Sequence, residues 1–283
     1  MGRLMTIIGT LIVIGIIAGA GYFAYVTFIV TGDSKDDSIR YGDAVLVNYI
    51  GRFENGRVFD TSLWDVAVDN YTYPKAVSFS MRAKNAYQPF NFTIGKGAVI
   101  KGWEIGVMDM KVGQTKVLNL SKELAYGDPD PSLIKTLPLV QEVPLITEMN
   151  STDFYKKYTV HPSMGLEVVE PVWEWTATVI HISGDTITVR ANPQIGAVVK
   201  PYKKWDSRVK DIDSGADDGK GKIWIEHLIK PDIVDNILDT DNEGKEFRLT
   251  GLSIAKGTFT IDYNREVVGK TLIFQITVLK IYR

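Results

Sequence analysis

The stretch GKGAVIKGWE, residues 95–104, decides the fold of this chain. Its glycines at 95 and 97 mark a turn, and the apolar spacing from Ile100 to Met110 is typical of a short helix with Trp103 near its start. Taken alone, the Gly-Lys-Gly turn is generic and lacks the spacing of a phosphate-binding loop. The stretch therefore predicts a turn that delivers a tryptophan to the beginning of a short helix.

Aromatic side chains lie in short strand-like fragments on both sides of this stretch. Phe90, Phe92 and Ile94 alternate with polar residues, so the three apolar side chains are expected to share one sheet face. A single aromatic residue in such a strand is more often part of the hydrophobic core than of a functional site. The evidence for a site is therefore the order in which the fragments follow one another. The fragments are YIG at 49–51, VFDTS at 58–62, PFNF at 89–92, LAYG at 124–127, and Phe274 within the alternating run 272–281.

In order, residue type and local spacing these fragments resemble the FKBP family of peptidyl-prolyl cis-trans isomerases. The resemblance implies an α+β fold, in which an antiparallel sheet wraps on a short helix, and a prolyl-binding pocket that needs no cofactor. It places Trp103 on the pocket floor and Asp60 beside the reacting amide carbonyl. It implies that the Tyr126 hydroxyl and the Ile100 N–H reach substrate carbonyls. The implied catalytic residues are Asp60, Tyr126, Phe59, Trp103 and Phe274, and the implied substrate-binding residues are Tyr49, Phe90, Val99 and Ile100.

A long gap separates the LAYG fragment from Phe274, at the place where SlyD-like and long archaeal members of the family carry an inserted domain. We therefore expect a second β-rich domain at 139–257, interrupting an FKBP-like domain at 42–138 and 258–283. The part from 197 to 256 has no clear counterpart in the family, and no internal repeat is evident. In such relatives the insert binds unfolded chains and raises their concentration near the pocket. The alternative is that the extra residues only thicken the domain.

The first thirty residues predict a single transmembrane helix. The segment 5–30 contains no charged residue and would reach about 39 Å as a helix, enough to cross a bilayer core. A cleaved signal peptide is the alternative, but its apolar region is normally only ~7–15 residues long. Arg3 before the span, and Asp33, Asp36 and Asp37 after it, favour a cytoplasmic N-terminus and an extracytoplasmic main domain at the cell membrane. The polar stretch 31–41 then forms a linker.

Composition excludes several classes of protein. The 32 basic and 34 acidic residues leave a net charge of −2, which gives no reason to expect a nucleic acid as partner. The absence of cysteine excludes disulfides and thiolate metal sites. The three histidines lack metal-ligand spacing, and the acidic loop 211–218 lacks the glycine and closing glutamate of an EF-hand loop. We therefore expect no metal and no cofactor. We also expect a monomer.

The sequence leaves two functions open. The first is a prolyl isomerase with chaperone activity, which acts on unfolded or proline-containing polypeptides and assists the folding of exported or membrane-proximal proteins. The second is a non-catalytic, membrane-tethered holdase or assembly subunit that uses the same pocket and insert for binding. Asp60 and Tyr126 favour the first function, since a pure binder would need neither this carboxylate nor this hydroxyl.

Overall fold

The computed structural model describes residues 37–283 together with two strands in the segment before them, β1 (Ile8–Val13) and β2 (Ala24–Ile29). These strands pair antiparallel, so at their positions the backbone differs from the predicted transmembrane helix. Both strands are rich in β-branched residues, which favour extended backbone. The rest of the predicted anchor, and the linker as far as residue 36, lie outside the described residues. Among the described residues, no helix is long and apolar enough to cross a membrane.

The main sheet consists of five antiparallel strands, four from before the long gap and one from after it. Its strands are β3 (Ala44–Phe53), β4 (Val58–Thr61), β5 (Phe90–Thr93), β6 (Thr115–Leu120) and β19 (Leu272–Tyr282), with helices α1 (Trp64–Val68) and α2 (Lys101–Val107). The strand order is β4-β3-β19-β6, and β5 pairs with the first half of β3 while β4 pairs with its second half. The last strand of the chain is therefore central to the sheet.

Helix α2 packs against the main sheet at very short range. A Cβ atom added to Gly106 would lie 2.3 Å from the Leu118 side chain, and one added to Gly102 would lie 2.6 Å from that of Leu120. Alternate residues from 272 to 278 in β19 are buried on the same core, as the alternating pattern of this run predicts. The two glycines thus let the helix that carries Trp103 approach the sheet closely.

Between β6 and β19 the chain forms three four-stranded antiparallel sheets, which we call the outer, middle and inner modules. The outer module contains β7 (Ile134–Pro138), β16 (Leu238–Thr240), β17 (Glu246–Ser253) and β18 (Thr258–Asp262). The middle module contains β8 (Val140–Pro144), β13 (Val198–Val199), β14 (Ser207–Asp213) and β15 (Lys222–His227). The inner module contains β9 (Ile146–Asn150), α3 (Ser151–Tyr158), β10 (Glu167–Val169), β11 (Thr176–Ser183) and β12 (Thr186–Ala191). Short 3-10 helices occur at Lys84–Ala86, Lys122–Leu124, Pro131–Leu133 and Pro231–Ile233.

The modules are nested. The strands β7, β8 and β9 follow one another directly along the chain, and each is the first strand of one module. The remaining three strands of each module follow in the reverse order, inner, then middle, then outer. In every module the last strand pairs with the first, which closes the module. The inner module is therefore inserted into the middle one, and the middle one into the outer one.

The three modules also repeat one another in sequence. Their first strands lie in LIKTLP (133–138), LVQEVP (139–144) and LITEMN (145–150), and their last strands lie in GTFTIDY (257–263), GKIWIEH (221–227) and DTITVRA (185–191). Each module is closed by the same main-chain hydrogen bond, at 2.8–2.9 Å. The donors are the N–H groups of Ala191, His227 and Tyr263, thirty-six residues apart, and the acceptors are the carbonyls of Leu145, Leu139 and Leu133, six residues apart. The expectation of no internal repeat is therefore wrong, because nesting splits each repeat into two distant pieces.

Adjacent modules are joined through shared cores. Trp175 lies between β10 and β11 of the inner module, but it packs into the core of the middle module together with Leu145. Trp205 precedes β14 of the middle module and packs into the core of the outer module, against which Leu139 also lies. The inner module thus contributes Trp175 and Leu145 to the core of the middle module, and the middle module contributes Trp205 and Leu139 to that of the outer module. We call Leu139 and Leu145, which stand where one module passes into the next, the junction leucines.

The sheet pairing differs from the predicted domain bounds at both ends of the insert. The sequence-based division assigns 134–138 and 258–262 to the FKBP-like domain. In the structure β7 and β18 pair with each other, and β18 also pairs with β17, so both strands belong to the outer module. Alternation alone identifies a strand but does not identify its sheet, which is why the bounds lie a few residues too far inward.

Candidate active site

One cavity of about 430 Å³ lies over the main sheet and the start of α2. All nine residues singled out from the sequence line it, together with Ala98. The fold brings together residues that are up to 225 positions apart, from Tyr49 to Phe274. They belong to β3, β4, β5, β19, the turn before α2, α2 itself and the segment after β6. The lining is mostly aromatic, with a few polar atoms, which is the usual composition of a site for a small organic group.

Trp103 forms the base of the cavity. Its side chain is only 5% exposed, and its ring meets those of Tyr49 and Phe274 edge-on, with centroids 5.1 Å apart in both cases. Its indole Nε1 is buried without a hydrogen-bond partner among the described residues. Edge-to-face packing on two sides fixes the orientation of the indole ring. The base of the cavity is therefore a rigid apolar surface.

The wall formed by Phe59 and Phe274 depends on a glycine. The two rings meet edge-on at 5.5 Å, and Gly51 lies directly opposite Phe274 in the β3–β19 pairing. A Cβ atom on Gly51 would lie 2.7 Å from the Phe59 ring and 2.8 Å from the Phe274 ring. Only a residue without a side chain lets both rings stand side by side here.

The Asp60 carboxylate is held by three donors at the edge of the cavity. The Tyr49 hydroxyl donates to Oδ2 at 2.7 Å, while the Arg82 guanidinium and the Thr61 N–H donate to Oδ1 at 3.0 and 2.8 Å. Burial, reinforced by the Asp60 charge, raises the pKa of Tyr49 above its usual value, so this hydroxyl remains a donor at neutral pH. The carboxylate therefore has a fixed position and orientation.

Arg82 is a component of the site that the sequence analysis missed. It lies in the loop between α1 and β5, where its guanidinium carbon stands 4.7 Å from the centroid of the Tyr87 ring while it pairs with Asp60. Nothing in the local pattern of 63–88 distinguishes this arginine from a surface residue. Only the folded loop shows that it neutralises the carboxylate at the cavity edge.

Two hydrogen-bonding groups at the rim remain available to a ligand. The Ile100 carbonyl accepts a hydrogen bond from the Trp103 N–H at 2.9 Å, but the Ile100 N–H donates none within the described part of the chain. The Tyr126 side chain is 37% exposed, and the guanidinium carbon of Arg265 lies 5.1 Å from its ring centroid. Val99 and the 39% exposed Phe90 complete the rim. The cavity thus offers an apolar base with hydrogen-bond donors above it.

Comparison with known proteins identifies this part of the chain. The model of the FKBP-type peptidyl-prolyl cis-trans isomerase family matches residues 35–146. The chain carries an FKBP-type prolyl isomerase domain. The matched region includes eight of the nine site residues, and Phe274 joins them from β19 through the sheet pairing.

Curated relatives support the same assignment. The short-type peptidyl-prolyl cis-trans isomerase of Methanocaldococcus jannaschii is 28% identical over 174 residues, which is 62% of this chain and 94% of that protein. FK506-binding protein 4 of Neurospora crassa is 34% identical over 127 residues, and that of Gibberella zeae is 32% identical over 126 residues. These alignments cover 40% and 42% of this chain but only 22% and 21% of the fungal proteins. The chain therefore spans about a fifth of those two relatives and nearly all of the first.

We predict that Gly51→Ala reduces catalysis by the FKBP-type domain. The added methyl group displaces the Phe59 and Phe274 rings, so kcat/KM for a prolyl tetrapeptide should fall about tenfold or more, with a loss of ~1–3 kcal/mol in the free energy of unfolding. Gly215→Ala is the matched control, because a Cβ there meets a single atom at 3.4 Å. Peptide assays and thermal unfolding measure both effects. Wild-type activity in the Gly51 variant would show that this close approach is unimportant.

Proposed function

We propose that this chain is a prolyl isomerase for unfolded polypeptides, and that the cavity over Trp103 is its active site. The observation that carries the proposal is the combination of a rigid aromatic cavity with the Asp60 carboxylate and two available donors at its edge. No cluster of ligating side chains suited to a metal ion occurs among the described residues. The site has the features needed to bind a prolyl ring and its amide, and no nucleophile or metal is required for that reaction.

The chemistry needed is rotation about a partial double bond. The barrier in an X–Pro amide is ~18–20 kcal/mol, because resonance keeps the amide planar. An apolar cavity lowers this barrier when it removes water from the amide and binds the twisted form better than either planar form. In our proposal the prolyl ring rests on Trp103 between Phe59 and Phe274. The Ile100 N–H and the Tyr126 hydroxyl then hold the neighbouring carbonyls, so one side of the bond is fixed while the other rotates.

Asp60 shapes the electric field beside the rotating carbonyl. Tyr49 and Arg82 each donate a hydrogen bond to one carboxylate oxygen of Asp60 and so fix its orientation. In our proposal Asp60 acts neither as an acid nor as a base. We expect Asp60→Ala and Tyr126→Phe each to lower kcat/KM for a prolyl tetrapeptide about tenfold, equivalent to ~1.4 kcal/mol of transition-state stabilisation, while the circular dichroism spectrum stays unchanged. Folded wild-type protein that accelerates no prolyl peptide would favour the alternative of a non-catalytic holdase.

We also propose that the inner module captures unfolded substrate. Five of its large apolar side chains are exposed to 39% or more, namely Tyr155, Val160, Met164, Val169 and Ile180. Exposed apolar groups of this kind are suited to contacts with apolar segments of unfolded chains. A substrate chain held by the inner module would meet the active site of the same molecule, so the effective concentration of its prolyl residues at that site would be high. The module would thus serve protein substrates rather than short peptides.

A deletion separates these two roles. Replacing 134–262 with Asn-Gly joins Leu133 to Tyr263, whose main chains are already hydrogen-bonded at 2.9 Å. No residue of the main core comes from the deleted region. We expect tetrapeptide isomerisation to persist, while the catalysed refolding of a proline-limited protein slows about tenfold or more.

Point variants address the same prediction without a deletion. Met164→Ser combined with Val169→Ser should weaken refolding catalysis, whereas Ile254→Ser, which changes an exposed apolar residue of the outer module, should not. Refolding catalysis that survives both the deletion and the double substitution would contradict substrate capture by the inner module.

We further propose that the segment 5–30 attaches the chain to a membrane as a single helix, with the main domain outside the cytoplasm. The uncharged length supports this proposal. A two-stranded hairpin such as β1–β2 leaves outward-facing backbone groups that water satisfies but lipid does not, so a bilayer would favour the helix. Protease added to spheroplasts should then remove the domain, and alkaline carbonate should not release the full-length chain. Full protection from protease would refute the orientation, and release by carbonate would refute the anchor.

A further inference from the structure

A second cavity, of about 600 Å³, lies between the FKBP-type domain and the outer module. It shares Phe59, Asp60 and Tyr126 with the active-site cavity, so the two spaces meet at the edge where Asp60 is held. One wall is the loop 77–82 of the FKBP-type domain, and the other is formed by strands of the outer module and the segment 262–267. A polypeptide whose proline occupies the first cavity has this cleft directly beside it.

The cleft is lined by charged groups, most of which already have partners. Asp60 pairs with Arg82, and the buried Arg248 pairs with Asp262 at 2.6 Å. Glu266 accepts a hydrogen bond from the Ser78 N–H. Glu246 is different, because it is exposed on the cleft wall and is in no ion pair among the described residues. Glu266 is likewise in no ion pair, so among the described residues Glu246 is the one cleft carboxylate whose side chain has neither an ion pair nor a hydrogen bond.

The repeat shows what occupies the equivalent place in the middle module. Arg208 corresponds to Arg248, since each lies opposite a carboxylate of the neighbouring strand, Glu226 or Asp262. Two residues earlier, Asp206 corresponds to Glu246, and Asp206 forms an ion pair with Lys200 at 3.2 Å. The structure thus contains an internal example of this carboxylate position with a lysine ammonium bound to it.

The outer module lacks that lysine. Val198 lies opposite Arg208 in the middle module, and Leu238 lies opposite Arg248 in the outer one, so the position of Lys200 corresponds to that of Thr240. Thr240 lies directly opposite Glu246 and has no positive charge to offer it. The outer module therefore has a carboxylate, that of Glu246, without an internal lysine opposite it, and this carboxylate lines the cleft.

We infer that the cleft binds the stretch of substrate chain adjoining the prolyl residue and that Glu246 selects a basic side chain in that stretch. The Lys or Arg of the substrate takes the place that Lys200 takes in the middle module. The inference rests on the proposed function, because the cleft is a subsite only if the neighbouring cavity binds the proline. It narrows the substrate class to unfolded segments with a basic residue near a proline.

Peptide kinetics with the full chain in mild detergent test the inference. The substrates are twelve-residue peptides with one central proline and a single Lys or Glu moved through the flanking positions. We expect KM to be about threefold to fivefold lower for Lys than for Glu at one or two positions on one side of the proline, as for a partly exposed ion pair. This difference should shrink as ionic strength rises.

Three variants locate the effect. Glu246→Gln and Thr240→Lys should each bring the ratio of the two KM values close to one, the first by removing the carboxylate and the second by supplying an internal lysine. Glu243→Gln, also exposed and on the same module but outside the cleft, should retain the wild-type ratio. Circular dichroism confirms that each variant is folded.

The outcomes separate this inference from the proposed function. Wild-type protein that isomerises a tetrapeptide but shows no preference for Lys in the long peptides would overturn the cleft inference alone. A preference that persists in Glu246→Gln would also overturn it, because another group would then be responsible. A folded wild-type chain inactive on every peptide would instead overturn the proposed function.

Discussion

The pairing of β3 with β19 is the constraint on which the rest of the structure depends. β19 follows the whole insert, yet it lies in the centre of the main sheet and places Phe274 opposite Gly51. The sheet, the wall of the candidate active site and the helix packing all require the two ends of the insert to meet. They do so through the hydrogen bond from the Gly269 N–H to the Gly127 carbonyl at 2.8 Å, and through that from Tyr263 to Leu133. Because closing a longer loop costs only slightly more entropy, a long insert is tolerated when its ends are fixed together in this way.

In each of the three nested modules, too, a main-chain hydrogen bond holds together two segments that are distant in sequence. Each module is closed at its base by one main-chain hydrogen bond, and each junction leucine connects two modules. The Leu139 N–H donates to Gly257 of the outer module while its carbonyl accepts from His227 of the middle one, and Leu145 repeats the arrangement with Gly221 and Ala191. Each module therefore contacts chiefly its neighbours along the nest, so its stability is set by its own core and by the interface with the next module.

The sequence predicted which residues line the cavity over Trp103 better than it predicted the insert. Aromatic residues such as Tyr49, Phe59 and Trp103 lie in fragments whose order and spacing are specific, and the cavity contains all of them. Arg82 was missed because its role depends on a loop conformation, and a lone arginine has no periodic pattern. The repeat was missed because the LIKTLP, LVQEVP and LITEMN pieces stand together while their partner strands follow in reverse order. A search for a fixed period cannot find such an arrangement, although the six-residue spacing of Leu133, Leu139 and Leu145 was visible in the sequence.

The position of each module in the nest also determines what its surface can be used for. The outer module adjoins the FKBP-type domain, and its ion pair of Arg248 and Asp262 lies in the cleft between them, with side chains only 8% and 12% exposed. The side chains of the corresponding pair of the middle module, Arg208 and Glu226, are 49% and 27% exposed. The same arrangement of strands thus exposes its ion pair to solvent in the middle module, whereas in the outer module the pair lines a cleft beside the candidate active site. The exchange of Lys200 for Thr240 leaves Glu246 of the outer module without the ion pair that Asp206 has in the middle module, and in our proposal a basic side chain of the substrate takes the place of that lysine.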